Sequence, residues 1–445
     1  MKNDSAPERL RKRLRALFFG LRCTATMTPG EALPMLTQYP QRQSLHNEVH
    51  ARPPETMAAP LAISHMVMLI DAHEREASRA HLSALLRDRH LPMPDAASTH
   101  VRMDLGAYRI RWEMHTEFVT WTFMRPVEAA AFGGDPAVTA AQVVPQEWLQ
   151  ALPGRCLASA HVWVMPISTS DSDAMVRRLL QENTLVASTV ADGCGEVYTD
   201  FTIHADGFSR MLLLVGGMAP RRLGRLVQQL LEIETYRMAA LMGLPAAREA
   251  TSVLASAERE LASLAEAIRS ARRDEEPELL NRLTRLAGQV ESQYAASHSR
   301  FSASSAYFEL VDMRISDIAE SRLGGLQTIR EFMDRRLSPA RSTCQWAVRR
   351  QDALSQRVSR ISNLLRTRVE IEQQQGNQAV LEAMNDRQGL QLKLQSTVEG
   401  LSVAAITYYI VGLIGYLAKG AKVLGWPCCP AAATRWMRRL PPLPP

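Results

Sequence analysis

The rhythm of apolar and polar positions changes twice along this chain, and the changes divide it into three zones. In the first, Leu61 to Ile70 is a continuous apolar run that predicts a strand, and Glu74 to Arg89 places Ala77, Leu82, Leu85 and Leu86 on one helix face before Pro92 and Pro94 end it. From Val101 to Met124 apolar and polar residues alternate, with a turn near Gly106, which predicts half-buried antiparallel strands. A loop is expected from Pro126 to Pro136. Strands are then expected at Leu157 to Met165, Thr184 to Val190, Glu196 to Ile203 and Phe208 to Val215, with a helix at Ser172 to Gln181. Asp206-Gly207 between the last two strands is a hairpin signal. These elements make one α+β domain.

The second zone has a helical period only. Pro220 opens a helix that runs to Met242, with Leu223, Leu226, Leu230 and Ile233 on one face and Gly243 and Pro245 at its end. Further helices are expected at Ala250 to Arg273, Glu278 to Glu320 and Gln327 to Leu337, broken at Pro277, Gly324-Gly325 and Pro339. A last helix is expected from about Thr343 through Gly400. Within it Leu354, Val358, Ile361 and Leu365 have the four-three-four spacing of a coiled-coil seam, continuing weakly to Val369. This seam is the expected surface for a homo-oligomer joined through the stalk helices.

The third zone is Gly400 to Ala418, nineteen residues without a charge. As a helix it spans roughly 28 Å, close to the roughly 30 Å hydrocarbon thickness of a bilayer. A transmembrane helix is expected, flanked by Glu399 on one side and Lys419 and Lys422 on the other. The predicted architecture is therefore α+β: a mobile basic lead (1–43), an antiparallel-sheet α/β head (44–245), a long, partly coiled-coil helical stalk (246–399), the membrane span (400–418) and a short basic, Pro-rich tail (419–445).

Composition narrows the partners. Hydrophobic residues make up 46% of the 445, enough for folded cores. The net charge is +6, but the 47 Arg and 5 Lys are spread among acidic residues instead of forming the clustered footprint that nucleic acid requires. No nucleic-acid partner is expected; the lipid bilayer is. The six cysteines include no pair spaced as a zinc knuckle and no disulfide framework, which fits a reducing compartment. The apolar run Ala16 to Leu21 is too short for a secretory signal, so the bulk of the chain is expected in the cytoplasm.

The densest chemistry lies in Ser44-Leu-His-Asn-Glu-Val-His-Ala-Arg-Pro-Pro-Glu55, where Pro53 and Pro54 forbid a helix and hold a shaped loop carrying His46, Asn47, Glu48, His50 and Arg52. His46 and His50 are candidate metal ligands if a third, His65 or His73, comes near. The loop lacks the helical His-Glu-x-x-His order of zinc hydrolases. The alternative is an internal ion-pair and hydrogen-bond knot of Asn47, Glu48 and Arg52 that ties the loop to the sheet. Cys194 between Gly193 and Gly195 is expected in a strand-edge turn, and Gly216-Gly217 before Pro220, with Arg221 and Arg222, is a weak candidate anion cradle. No cofactor follows from these residues.

Asn47-Glu-Val-His-Ala-Arg-Pro53 is identical to the signature of an uncharacterised bacterial family of membrane-anchored proteins, which this chain resembles from about Leu45 to Lys419. Leu230 to Met238, Met242-Gly-Leu-Pro245 and Val398 to Ile406 carry the same resemblance. It implies anchoring in the bacterial inner membrane and no established activity. Members typically continue into a second apolar span; here Val423 to Thr434 is only twelve uncharged residues, broken by Pro427 and Pro430. The expected function is a self-associating scaffold or regulatory protein that binds another protein. The alternatives are an ion conduit with the layout, though not the Gly-Met-Asn filter, of CorA-type magnesium channels, and a metal-dependent enzyme using the His46 to Arg52 loop.

Overall fold

The structure, a computed structural model, describes residues 37–43, 45–46, 53–96, 98–128, 138–167, 172–272 and 274–425. They fall into two compact units: residues up to Met238 with Glu309–Asp334, and Ala239–Phe308 with residues from Arg335 onward.

The first unit is built on a nine-stranded sheet. Its strands are β1 (Leu61–Leu69), β2 (His100–Asp104), β3 (Arg109–Met114), β4 (Phe118–Pro126), β5 (Arg155–Pro166), β6 (Val186–Val190), β7 (Gly195–Thr199), β8 (Ser209–Val215) and β9 (Ser321–Arg322). The order across the sheet is β2-β3-β4-β1-β5-β8-β7-β6-β9, antiparallel except for the parallel β5–β8 pair. Helices α1 (Ala72–Arg87), α2 (Gln146–Gln150), α3 (Ser172–Leu179) and α4 (Pro220–Leu241) belong to the same part of the chain. Asp71 caps α1 by accepting from the Glu74 amide, and the Glu74 carboxylate returns the bond to the Asp71 amide, a closed capping box.

One sheet face packs Trp112, Trp121, Phe123 and Met66 against Leu82, Leu85 and Leu86 of α1. The expectation of half-buried strands fails at β3 and β4, which are buried on both faces. Their polar positions, Arg111, Glu113, Thr120 and Thr122, face inward on the second side, where Arg111 pairs with Glu113 and Thr122 with His65 instead of with water. Residues near 320 close the far edge: Ser188 on β6 donates to the Glu320 carboxylate at 2.7 Å, and β9 pairs with β6.

The second unit is helical, formed by α5 (Gly243–Ser270), most of α6 (Glu276–Asp317) and most of α7 (Ile329–Val423). Leu254, Leu261, Leu283, Val290, Leu354 and Val358 share one core. At Gly243 a Cβ would lie 2.6 Å from Ser304 Oγ and 3.1 Å from Cys344 Sγ, so the three helices approach one another at a point that only glycine allows. Gly324 and Gly325, both at positive φ, break the chain between α6 and α7 as expected, and Pro277 sits in the first turn of α6.

Two sequence expectations are corrected here. Pro339 does not break the helix: α7 runs through it without interruption. Buried Met333, Leu337, Ala340, Cys344, Ala347, Gln351, Leu354 and Val358 form one stripe across the proline, and their packing outweighs its cost of about 3 kcal/mol. Secondly, Leu354, Val358 and Leu365 of the coiled-coil seam are buried, with Ile361 packed beside them, in the core shared with α5 and α6. The heptad repeat is real, but its partner lies within the same chain. No described residue after Leu365 is buried.

Candidate functional site

Of the loop residues singled out by sequence, His46 lies exposed in a short helical turn and Pro53 is exposed, while Asn47, Glu48, His50 and Arg52 lie outside the described residues. The end of the loop is firmly attached. Arg102 on β2 donates to the Pro53 carbonyl, Arg109 on β3 pairs with Glu55 at 3.5 Å, and the Met57 amide donates to Pro220 O at 3.0 Å. Glu55 lies so close to α4 that a Cβ on Gly224 would stand 1.5 Å from its carbonyl oxygen. The loop therefore leads straight onto the polar sheet face beneath α4.

That face is a buried network. His65 on β1 has Thr122 Oγ1 at 2.8 Å from Nδ1 and Thr235 Oγ1 at 3.1 Å from Nε2. Thr235 gives its own hydrogen to Leu231 O, so Nε2 is the protonated nitrogen and Nδ1 accepts from Thr122. Burial, with Arg111 and His115 nearby, pushes this imidazole down to about 3. Both nitrogens are committed, which removes His65 as a metal ligand. Among the described residues no group of three or more His, Cys, Asp and Glu is placed to hold a metal. Arg111 pairs with Glu113 at 3.1 Å, both nearly inaccessible.

The weaker candidates are spoken for as well. The Gly216 amide donates to Cys194 O at 3.0 Å, and Arg222 is taken up by Asp192 at 2.6 Å and Ala191 O at 2.8 Å. Two donors of the expected cradle, the Gly216 amide and Arg222, are therefore already engaged within the chain.

A cavity of about 340 Å³ on the other sheet face holds chemistry that the sequence reading missed. Its polar lining includes His161, Asp206, Arg210, Arg178, Gln142 and Gln146. His161 is 3% exposed at the middle of β5 and stacks on Phe208 with ring centres 3.9 Å apart. Its Nδ1 is 2.9 Å from Ser64 Oγ, which itself accepts from the Ala141 amide at 2.9 Å. Ser64 is wholly buried and needs an acceptor for its hydrogen, which Nδ1 supplies; the proton of the ring therefore sits on Nε2. Nε2 stands 4.0 Å from Asp206 Oδ2, beyond hydrogen-bond reach. Burial pushes His161 down to about 4, against Asp206 and with Arg210, so the ring is neutral near pH 7.

Asp206 is the anchor of the cavity. Burial alone would raise its carboxyl, but the Phe208 amide at 3.1 Å and Arg210 at 3.1 Å overcome that and hold it below the ordinary range. Arg210 also donates to Leu179 O at 3.2 Å, and Gln142 accepts from the Thr139 amide at 3.1 Å with its own amide hydrogens unengaged. Two of the five guanidinium N–H groups of Arg210 are thus accounted for. The available sequence signal was a lone histidine inside the apolar run Leu157 to Met165. Asp206-Gly207 read only as a hairpin, and nothing local linked it to Gln142 or Ser64.

An α+β head with a polar cavity and a buried ionic sheet face, followed by a long C-terminal helix apolar enough at its end to cross a membrane, is the class of protein defined here. The chain belongs to the family described as Protein of unknown function (DUF3422), which matches residues 37–439. Comparison with curated proteins and with solved structures gives no match.

Proposed function

We propose that this protein is a membrane-anchored, self-associating interaction protein, held in the bacterial inner membrane by residues 400–418 with its head in the cytoplasm. The observation that carries the reading is the second half of α7. The helix leaves the bundle after Leu365 and continues with no buried side chain to Val423. From Glu370 to Glu399 it covers about 45 Å at 1.5 Å per residue, so it acts as a spacer between the bundle and the bilayer. Free thiols at Cys156, Cys194 and Cys344 fit a reducing compartment.

Self-association belongs to this uncovered stretch and not to the seam at Leu354 to Leu365, which is already occupied. Val380, Met384, Leu390, Leu394, Val398 and Leu401 are each more than half exposed. At about 100° per residue they fall within one arc of the helix, a face suited to a like partner. Two copies anchored by the same end in one membrane present this face in parallel and in register. Arg387 lies inside the arc, so the pairing is weaker than an all-apolar seam and depends on shared anchoring. Light scattering of the full-length protein in detergent, with the detergent mass subtracted, tests the reading. A dimer is expected, and Leu394→Glu with Val398→Glu should return it to a monomer. A wild-type monomer at all concentrations rejects it, and a ring of four or more favours a conduit instead.

A further inference from the structure

The cavity beside β5 carries an inference independent of self-association. At its centre a donor faces an acceptor across a gap. The His161 Nε2–H, on a side chain only 3% exposed, has no acceptor within reach in the chain and stands 4.0 Å from Asp206 Oδ2. Both ends of the gap are fixed. Ser64, donating to Nδ1, keeps the ring proton on Nε2, and Phe208 packs flat against the ring. The Phe208 amide and Arg210 hold Asp206, each at 3.1 Å. An oxygen about 2.8 Å from both atoms fits between them, provided that it accepts from the nitrogen and donates to the carboxylate. A carboxylate or ether oxygen has no proton to donate, and an ammonium has no lone pair to accept with. A hydroxyl does both. Water does too, but the cavity of about 340 Å³ has room for far more than one water, which takes about 30 Å³ in the liquid.

The rest of the lining repeats the pattern. Gln142, whose carbonyl accepts from the Thr139 amide, has its amide hydrogens to give. Gln146 is its complement: its amide hydrogens go to Ala141 O at 2.9 Å and Val144 O at 2.7 Å, which leaves its carbonyl oxygen to accept. Trp163, whose indole N–H is given to Val138 O at 2.8 Å, contributes only an apolar wall, as do Phe208, Leu149 and Leu179. Donors and acceptors in pairs beside aromatic walls match a guest with several hydroxyls on a C–H frame. The volume lies at the small end of the range for ligand sites, about 300–1,000 Å³, and suits a single ring. We propose that this cavity binds an uncharged monosaccharide or cyclic polyol, with one hydroxyl seated between His161 Nε2–H and Asp206 Oδ2 and others received by Gln142 and Gln146.

Saturation-transfer NMR on the full-length protein, in a detergent without a sugar headgroup, tests this with glucose, galactose, mannose and myo-inositol as probes. Saturable binding of at least one is expected, and none of tetrahydropyran, a ring of similar frame without hydroxyls. Asp206→Ala removes the charged acceptor and should weaken binding about tenfold or more. Because Asp206 also pairs with Arg210, Gln142→Leu, at an exposed position outside that pair, serves as the variant that leaves the fold intact and should weaken binding by a smaller factor. Arg155→Gln, at the exposed start of β5, should change nothing. The inference is overturned if none of the four polyols binds, which would leave the gap to water, if tetrahydropyran binds as well as they do, or if both cavity variants bind like wild type.

Discussion

The interior of the sheet unit and the interior of the helical unit solve the same problem in opposite ways. Between α5, α6 and α7 the core is mostly aliphatic and periodic, with Ser297 and Gln351 as a buried polar pair at 3.1 Å and a single wholly buried carboxylate among the described residues, Glu276, paired with Arg368 at 2.6 Å at one end. Beneath α4 and beside β5 the sheet buries Arg111, Glu113, His65, His161, Asp200 and Glu234. A helix satisfies its own backbone and can present one uniform stripe. A sheet covered on both faces must bury every second position as well, and here those positions are polar. The helical interior is therefore interchangeable along its length, whereas the sheet interior is specific residue by residue, and specific residues are where chemistry resides.

Among single substitutions, the largest expected effect breaks the sheet interior alone. Arg111→Met leaves the Glu113 carboxylate buried without its partner, which should cost the sheet unit about 3–5 kcal/mol. Adding Glu113→Leu should recover most of that. Hydrogen exchange by mass spectrometry should show β3 and β4 losing protection while Leu254 to Leu264 of α5 keep theirs. Equal loss in both units would erase the distinction.

Acid should separate the units in the same direction. His65 and His161, at about 3 and about 4 in the folded chain against an ordinary 6.5, remain neutral in the fold while the unfolded chain takes up protons. Their contribution is complete above pH 6.5 and falls as pH drops below it, by about 1.4 kcal/mol per unit for each, until pH 4 for His161 and pH 3 for His65. The described histidine of the helical unit, His298, is exposed. Exchange protection measured from pH 7 to pH 4 should therefore decline first in the sheet. Parallel decline would show that the two interiors are not independent.

The smallest effect concerns α7 beyond the bundle. A Cβ at Gly376 or Gly389 meets nothing within 4 Å, so Gly376→Ala and Gly389→Ala should each stabilise the local helix by about 1 kcal/mol, read as slower amide exchange between Glu370 and Glu399. No change there would mean that the stretch is already held by a partner.

Much of this fold is legible in the sequence because it is local. The alternation from Val101 to Met124, Asp206-Gly207 and the uncharged run after Gly400 each depend on neighbours within a few residues. What escaped depends on distance along the chain. Pro339 reads as a stop until the buried stripe on both sides of it is known. Leu354 to Leu365 reads as an intermolecular seam because periodicity states that a partner exists and not which chain supplies it. Arg111 and Glu113 read as solvent-facing because alternation does not reveal that the second face of the strands is buried as well. The cavity was least legible: Ser64, Gln142, His161 and Asp206 lie on separate segments and meet only in the folded sheet.

A continuous helix carries azimuth as well as distance. One residue inserted between Glu370 and Glu399 would advance the apolar end of the helix by about 1.5 Å and rotate it by about 100° relative to the bundle, whereas seven residues would bring it back to within about 20°. With no buried side chain among the described residues along the way to absorb a twist, the bundle and the apolar end of the helix are geared to each other. Changes in the length of this stretch are therefore free only in steps of whole turns.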